Sequence, residues 1–250
     1  GVDFGVSAYQ RSANFSSSTY QGGVSFDGSA YWHWVVFNGS TYQGGAKFNA
    51  SIYQGWANFS SSTYQSEVYF KDSTYQGRAD FTRSTYQKSA NFSDSTYRWA
   101  DFTRSTYEDE TDFSGSIFYQ EVYFGEDGDN SSFSRFIGCA PQFYDETNHK
   151  NTLFGSPDNN FTVENGRGHP IYLTSEGLPP DCKFLISEQK EYLKGKFQEI
   201  DETKNKFLEV KDLKEKVELS KNLQAFNEEL YEWRKEATTV NVEGTAPEEE

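Results

Sequence analysis

Large apolar residues fall on a fixed grid along the first half of the chain. Phe4, Phe15, Phe26, Phe37, Phe48, Phe59, Phe70, Phe81, Phe92, Phe102, Phe113 and Phe124 follow one another at eleven-residue steps, with one step of ten between Phe92 and Phe102. Tyr9, Tyr20, Tyr31, Tyr42, Tyr53, Tyr64, Tyr75, Tyr86, Tyr97 and Tyr107, then Phe118, stand between them, so aromatic spacings alternate between five and six. Two residues before each Phe stands Ala, Val or Thr, as in Ala13, Val24 and Thr111, and two before most Tyr stands Ser, as in Ser18, Ser29 and Ser40. A spacing of two places both residues on one face of a strand. The residues between them, such as Asn14, Lys47 and Thr19, point outward, and Gly, Ser and Gln fill the corners. Spacings of five and six match no helical face, and the Ser, Thr and Gly content opposes helix. The pattern predicts a mainly β solenoid over residues 1–124 with an aromatic core.

The unit Ala13-Asn14-Phe15-Ser16-Ser17 recurs as Ala57-Asn58-Phe59-Ser60-Ser61, Ala79-Asp80-Phe81-Thr82-Arg83 and Ala90-Asn91-Phe92-Ser93-Asp94. These stretches resemble the pentapeptide-repeat family, in its Phe-rich form with alternating five- and six-residue spacing. The resemblance covers about half of the chain and departs from the family in placing Tyr at every second centre. It implies a right-handed, four-sided β-solenoid of about 22 residues per coil. A two-sided solenoid of eleven residues per coil is the alternative. Trp34, Trp56, Arg78 and Trp99 recur two repeats apart and form one ridge on a 22-residue coil. Asp72, Arg83, Asp94 and Arg104 alternate in sign by single repeats, and on that coil like charges would stack. The resemblance favours four sides.

The segment Tyr31-Trp32-His33-Trp34-Val35-Val36-Phe37 breaks the consensus. Trp32 takes a Gln slot and Val36 an outward one, and with Trp56 they predict an exposed aromatic patch. Trp32, His33, Trp34, Val36, Trp56, Arg78 and Trp99 form the candidate protein-interaction patch, the competing reading being cover by another element of the chain. Residues 125–185 read as a degenerate last coil and a loop-rich cap, which an open solenoid end requires. The acidic run Gly125–Asn130 reads as a solvated turn, because its spacing does not match a calcium loop. Residues 186–237 contain no Pro and carry Leu193, Phe197, Ile200, Phe207, Leu223, Phe226, Leu230 and Trp233 at helical spacings. They predict an amphipathic helix or helical hairpin whose apolar face docks on the solenoid or joins subunits. Residues 238–250 read as an acidic disordered tail.

Composition then narrows the function. The 250 residues carry a net charge of −15, which disfavours direct nucleic-acid binding. Residues 1–124 hold 8 basic and 12 acidic side chains, so the solenoid itself is weakly acidic. This argues against a DNA-mimic inhibitor of a topoisomerase such as gyrase, an activity that the family resemblance brings to mind. Cys139 and Cys182 permit a disulfide or two free thiols, and His33, His149 and His169 lie in no metal-ligand spacing. No nucleophile, phosphate loop or dinucleotide motif stands out, and no cofactor is expected. The Thr slot before Tyr reads as a ladder interrupted by Ala30, Ile52 and Ile117, explained by the β preference of Thr. Gly1 begins inside a repeat and the chain has no Met, which reads as a fragment or processed chain. The expectation is a non-enzymatic structural or protein-interaction scaffold, cytoplasmic, with protein partners and self-association through the helical segment. A soluble part of a larger membrane-attached protein is a further alternative.

Overall fold

The structure, a computed structural model, describes residues 1–126, 132–164 and 166–240. Most of the acidic run after Gly125, and residues 241–250 of the acidic tail, lie outside the described residues.

Residues 1–124 wind into a β-solenoid with four walls. Wall 1 starts at Val2–Asp3, wall 2 at Ala8–Tyr9, wall 3 at Ala13–Asn14 and wall 4 at Thr19–Tyr20. Each two-residue strand pairs in parallel with the strand one coil on: Val24 with Ala46, Ile52 with Thr74, Ala57 with Ala79, and Thr63 with Thr85. The register is 22 residues, so the eleven-residue coil is ruled out. On that coil Ala13 would pair with Val24, whereas the two lie on walls 3 and 1. The ten-residue step is absorbed at a corner. Walls 2 and 3 fuse there into the strands Thr74–Asp80 and Thr96–Asp101, with the register slipping between Tyr75 and Arg78. A discontinuous seventh coil follows, with Phe143, Phe154 and Phe161 extending the ring stacks.

The core is four columns of stacked rings. Phe26 lies 5.1 Å above Phe48 with planes 3° apart, and Tyr53 lies 4.7 Å from Tyr75 at 5°. Rings of neighbouring columns meet edge to face, as Phe48 meets Phe59 at 5.2 Å and 79°. Both arrangements are favourable for the aromatic quadrupole. Small residues make room for this. Ser51 Oγ accepts from the Ser29 amide at 3.2 Å and donates to the Phe26 carbonyl at 3.2 Å, and the same pair of bonds repeats up two walls. Where Asn or Asp precedes a Phe of the repeat, as in seven of the twelve units, it closes the turn that follows. Asn58 Oδ1 accepts from the Ser60 amide at 2.9 Å, and Asp80 and Asp101 do the same for Thr82 and Thr103.

Two helices follow the cap. Helix α1 spans Ser187–Glu209 and α2 spans Leu213–Thr238, with Asp212 Oδ1 capping α2 through the Glu215 amide at 2.9 Å. The pair packs lengthwise on wall 2. Leu193, Phe197, Ile200, Phe207, Leu223 and Leu230 are buried against Trp32, Ile117, Leu153 and Leu185.

The phenol oxygens of Tyr31, Tyr42, Tyr53, Tyr64, Tyr75, Tyr86 and Tyr107 are buried and make no well-formed hydrogen bond among the described residues. Phe59→Ala should therefore cost about 3–5 kcal/mol by opening a core cavity. Tyr64→Phe should be neutral or stabilising, because it removes an unsatisfied hydroxyl. Urea melts of the two variants test this, and a loss above 1 kcal/mol for Tyr64→Phe would contradict the packing. Burial also pushes these phenols well above their ordinary value, the nearby Ser hydroxyls opposing it only in part. The folded state thus holds protons that the unfolded chain sheds above about pH 10. Stability is intact below that pH and falls as pH rises past it, by about 1.4 kcal/mol per pH unit for each such phenol. Tyrosinate absorbance of the buried set should appear together with loss of β-sheet circular dichroism. Full ionisation of all tyrosines in a folded chain would contradict the core.

Candidate functional site

The 22-residue coil sorts the outward residues into columns, and each column has one environment. The Tyr-side outward slots divide between two walls. Wall 4 carries Thr19, Thr41, Thr63, Thr85 and Thr106, an unbroken and partly exposed ladder. Wall 2 carries Ala8, Ala30, Ile52, Thr74, Thr96, Ile117 and Leu153. The interruptions at Ala30, Ile52 and Ile117 therefore belong to the wall under the helical hairpin. There even Thr74 and Thr96 are buried.

The next column at that corner holds Trp32, Gln54, Gln76, Arg98 and Tyr119, and it fastens the hairpin. Trp32 packs on Phe207 with ring centroids 4.1 Å apart, and Tyr119 on Phe197 at 5.3 Å. Gln76 Nε2 donates to Asn227 Oδ1 at 2.8 Å, and Lys204 Nζ to the Gln54 carbonyl at 2.9 Å. Arg98 meets Asp201 at 2.7 Å. Burial lowers the Lys204 ammonium below its ordinary value. Leu193, Phe197, Ile200, Phe207, Leu223 and Leu230 of the hairpin's apolar face are thus buried within the chain, with Phe226 and Trp233 partly buried and Leu208, Leu213 and Val217 exposed.

The opposite side of this corner is open. Trp34 and Trp56 stand 41% and 42% exposed, one coil apart. Above them Arg78 lays its guanidinium 4.2 Å over the half-buried Trp99 ring and reaches Asp101 at 3.4 Å. Burial raises the Asp101 carboxyl, while its bonds to Thr103 oppose the rise. Val36 is half-buried in wall 3 between Asn14 and Asn58. His33 is exposed, its Nδ1 3.0 Å from Ser12 Oγ. The structure therefore brings Trp34, Trp56, Arg78 and Trp99 onto one ridge and takes Trp32, only 4% exposed, away beneath the hairpin.

The stacked Asp72 and Asp94 find cations outside their column: Asp72 pairs with Arg234 of α2 at 3.4 Å and Asp94 with Lys150 of the cap at 2.7 Å. Arg104 pairs with Glu126, 22 residues on, at 3.3 Å. Among the described residues no cluster of His, Cys, Asp and Glu could hold a metal ion. Cys139 and Cys182 are free thiols, and burial pushes the Cys182 thiol up to about 12.

The two neighbouring tryptophans should respond differently to truncation. Trp32→Ala should cost about 3–5 kcal/mol and loosen the hairpin, whereas Trp34→Ala should stay within about 0.5 kcal/mol. Thermal melts with limited proteolysis of residues 187–240 test this; equal losses would contradict the placement.

No family model, curated protein or solved structure matches this sequence, so the assignment of the surface rests on its own geometry.

Proposed function

We propose that the chain is a non-enzymatic scaffold of the pentapeptide-repeat type whose Trp34–Trp56 ridge engages a protein partner. The observation that carries this reading is the exposure of two tryptophans in register on a rigid wall, where consensus positions of the alternate repeats hold Gly23 and Gly45. Aromatic side chains with few freedoms to lose are efficient anchors for partners. The wall that presents them is locked coil to coil by backbone pairing and ring stacking, so little ordering cost falls on binding. Wall 2 is already occupied by the chain's own hairpin, whereas Trp34 and Trp56 at this corner stay exposed. A DNA-mimic reading is less well supported. The solenoid's acidic columns are neutralised by Arg234 and Lys150, and the net charge of residues 1–124 is small beside a phosphate backbone. No described helix is long and apolar enough to cross a membrane.

A photo-crosslinking residue placed at Trp56 in cells expressing the chain should give a discrete adduct. Adding Trp34→Ala should remove it, and the same probe at Thr63 on wall 4 should give none. Equal adducts from wall 4, or an adduct indifferent to Trp34→Ala, would contradict the ridge as the binding surface.

A further inference from the structure

The corner diagonally across the solenoid from the Trp34–Trp56 ridge has the opposite relief. The ridge stands between walls 2 and 3. The slot that holds Trp34, Trp56 and Arg78 there holds Gly23, Gly45 and Glu67 between walls 4 and 1. Both columns keep the 22-residue pitch, so each Trp stands half a coil beyond the Gly eleven residues before it. A hollow of about 340 Å³ opens at the second corner, with Gly1, Gly23, Gly45 and Lys47 in its lining. The backbone does not demand glycine at 23 or 45. A Cβ at Gly23 would lie 3.6 Å from the Gly45 carbonyl oxygen, and one at Gly45 would lie 3.8 Å from that of Glu67, both ordinary contacts. Neither residue is in the left-handed region. At Gly44 and Gly55, by contrast, the added atom would lie 2.5 Å from the neighbouring coil. What glycine supplies at 23 and 45 is room outside the wall.

The charges match in the same register. Glu67 is exposed, accepts from Tyr69 Oη at 2.6 Å, and meets no cation among the described residues. Arg78 spends part of its guanidinium on Asp101 and the Trp99 ring, and its side chain stays half-exposed with donors to spare. In a parallel neighbour, setting Trp34 on Gly23 also sets Trp56 on Gly45 and Arg78 on Glu67. A shift of one coil sets Trp56 on Glu67 and Arg78 on Ser89, which loses the ion pair. Further along, Glu121 would face Glu110, so the contact is confined to the first coils.

We propose that the partner of the ridge is a second copy of this chain, standing parallel, whose Gly23–Gly45 groove receives Trp34 and Trp56 while its Glu67 meets Arg78. The inference rests on the ridge being a binding surface. Ridge and groove are different surfaces, so the contact is heterologous. They face opposite ways, so it does not close, and copies add in an open row.

Sedimentation velocity on the full chain from about 5 to about 500 μM tests it, a range that covers the affinities of small interfaces. The expected result is a sedimentation coefficient that keeps rising with concentration. Trp34→Ala with Trp56→Ala should abolish the rise. Gly45→Trp should abolish it too, by filling the groove at a position that accepts a Cβ. Those two variants mixed in equal amounts should form a dimer and stop there, because one keeps the groove and the other the ridge. Glu67→Arg should weaken association about tenfold by turning the ion pair into a repulsion. A chain monomeric throughout the range would overturn the proposal. So would a mixture that stays monomeric, or association that survives Gly45→Trp. Should Gly45→Trp fail to fold, Glu67→Arg takes its place alone and in the mixture. The mass of the Trp56 photo-adduct separates the two readings. An adduct other than two copies of the chain overturns self-assembly and leaves the ridge as a binding surface, whereas absence of any adduct removes both.

Discussion

The spacing between hydrogen-bonded strands governs this molecule. Parallel backbones sit about 4.8 Å apart, so any side chain repeated from coil to coil must stack on its own copy at that distance. A flat ring can do so by sliding slightly off centre, and the columns of this core show centroids between 4.6 and 5.4 Å with nearly parallel planes, widening to 6.1 Å only between Phe124 and Phe161 at the cap. The edge-to-face contacts between columns then follow from four columns meeting in a narrow interior. Ser and Ala beside the rings are small enough to admit them, and the Ser hydroxyls satisfy carbonyls that would otherwise be buried unpaired. The lost residue between Phe92 and Phe102 is tolerated because it is taken from a corner, leaving every ring in its column.

Such a regular core makes each wall a separate surface with its own specification. Wall 2 carries apolar Ala30, Ile52 and Ile117, with Trp32 at its corner, and the hairpin covers it. Wall 4 kept its Thr column and stays partly exposed. The Asp72 and Asp94 column, in which like charges repeat, is held by cations that arrive from α2 and the cap. Hairpin and cap therefore neutralise the solenoid's repeats as well as covering its apolar face and its end.

Much of this was legible in the sequence. The Phe and Tyr grid gives the inward columns, the small residues two before them give the strands, and Leu193 to Trp233 give the amphipathic helical segment. The coil length was less plain, because the ridge of Trp34, Trp56 and Trp99 favoured 22 residues while the alternating Asp72, Arg83, Asp94 and Arg104 favoured eleven. That conflict disappears only in three dimensions, since Arg234 and Lys150 are distant in the chain. The patch was half legible. Trp32 and Trp34 are two apart and read as neighbours, yet a corner between them turns one under the hairpin and the other outward. Sorting the Thr slots into alternate repeats would have exposed the docking wall.

The 22-residue coil is the claim on which every column assignment rests, and engineered disulfides test it directly. In a chain with Cys139 and Cys182 replaced by Ser, Thr41→Cys with Thr63→Cys places two thiols in register on adjacent coils, within the Cα separation that a disulfide accepts. Thr41→Cys with Ile52→Cys places them on different walls, eleven residues apart. Mild oxidation should join the first pair nearly completely within the monomer and leave the second reduced. Efficient closure of the second pair, with the first left open, would contradict the four-walled coil and every surface derived from it.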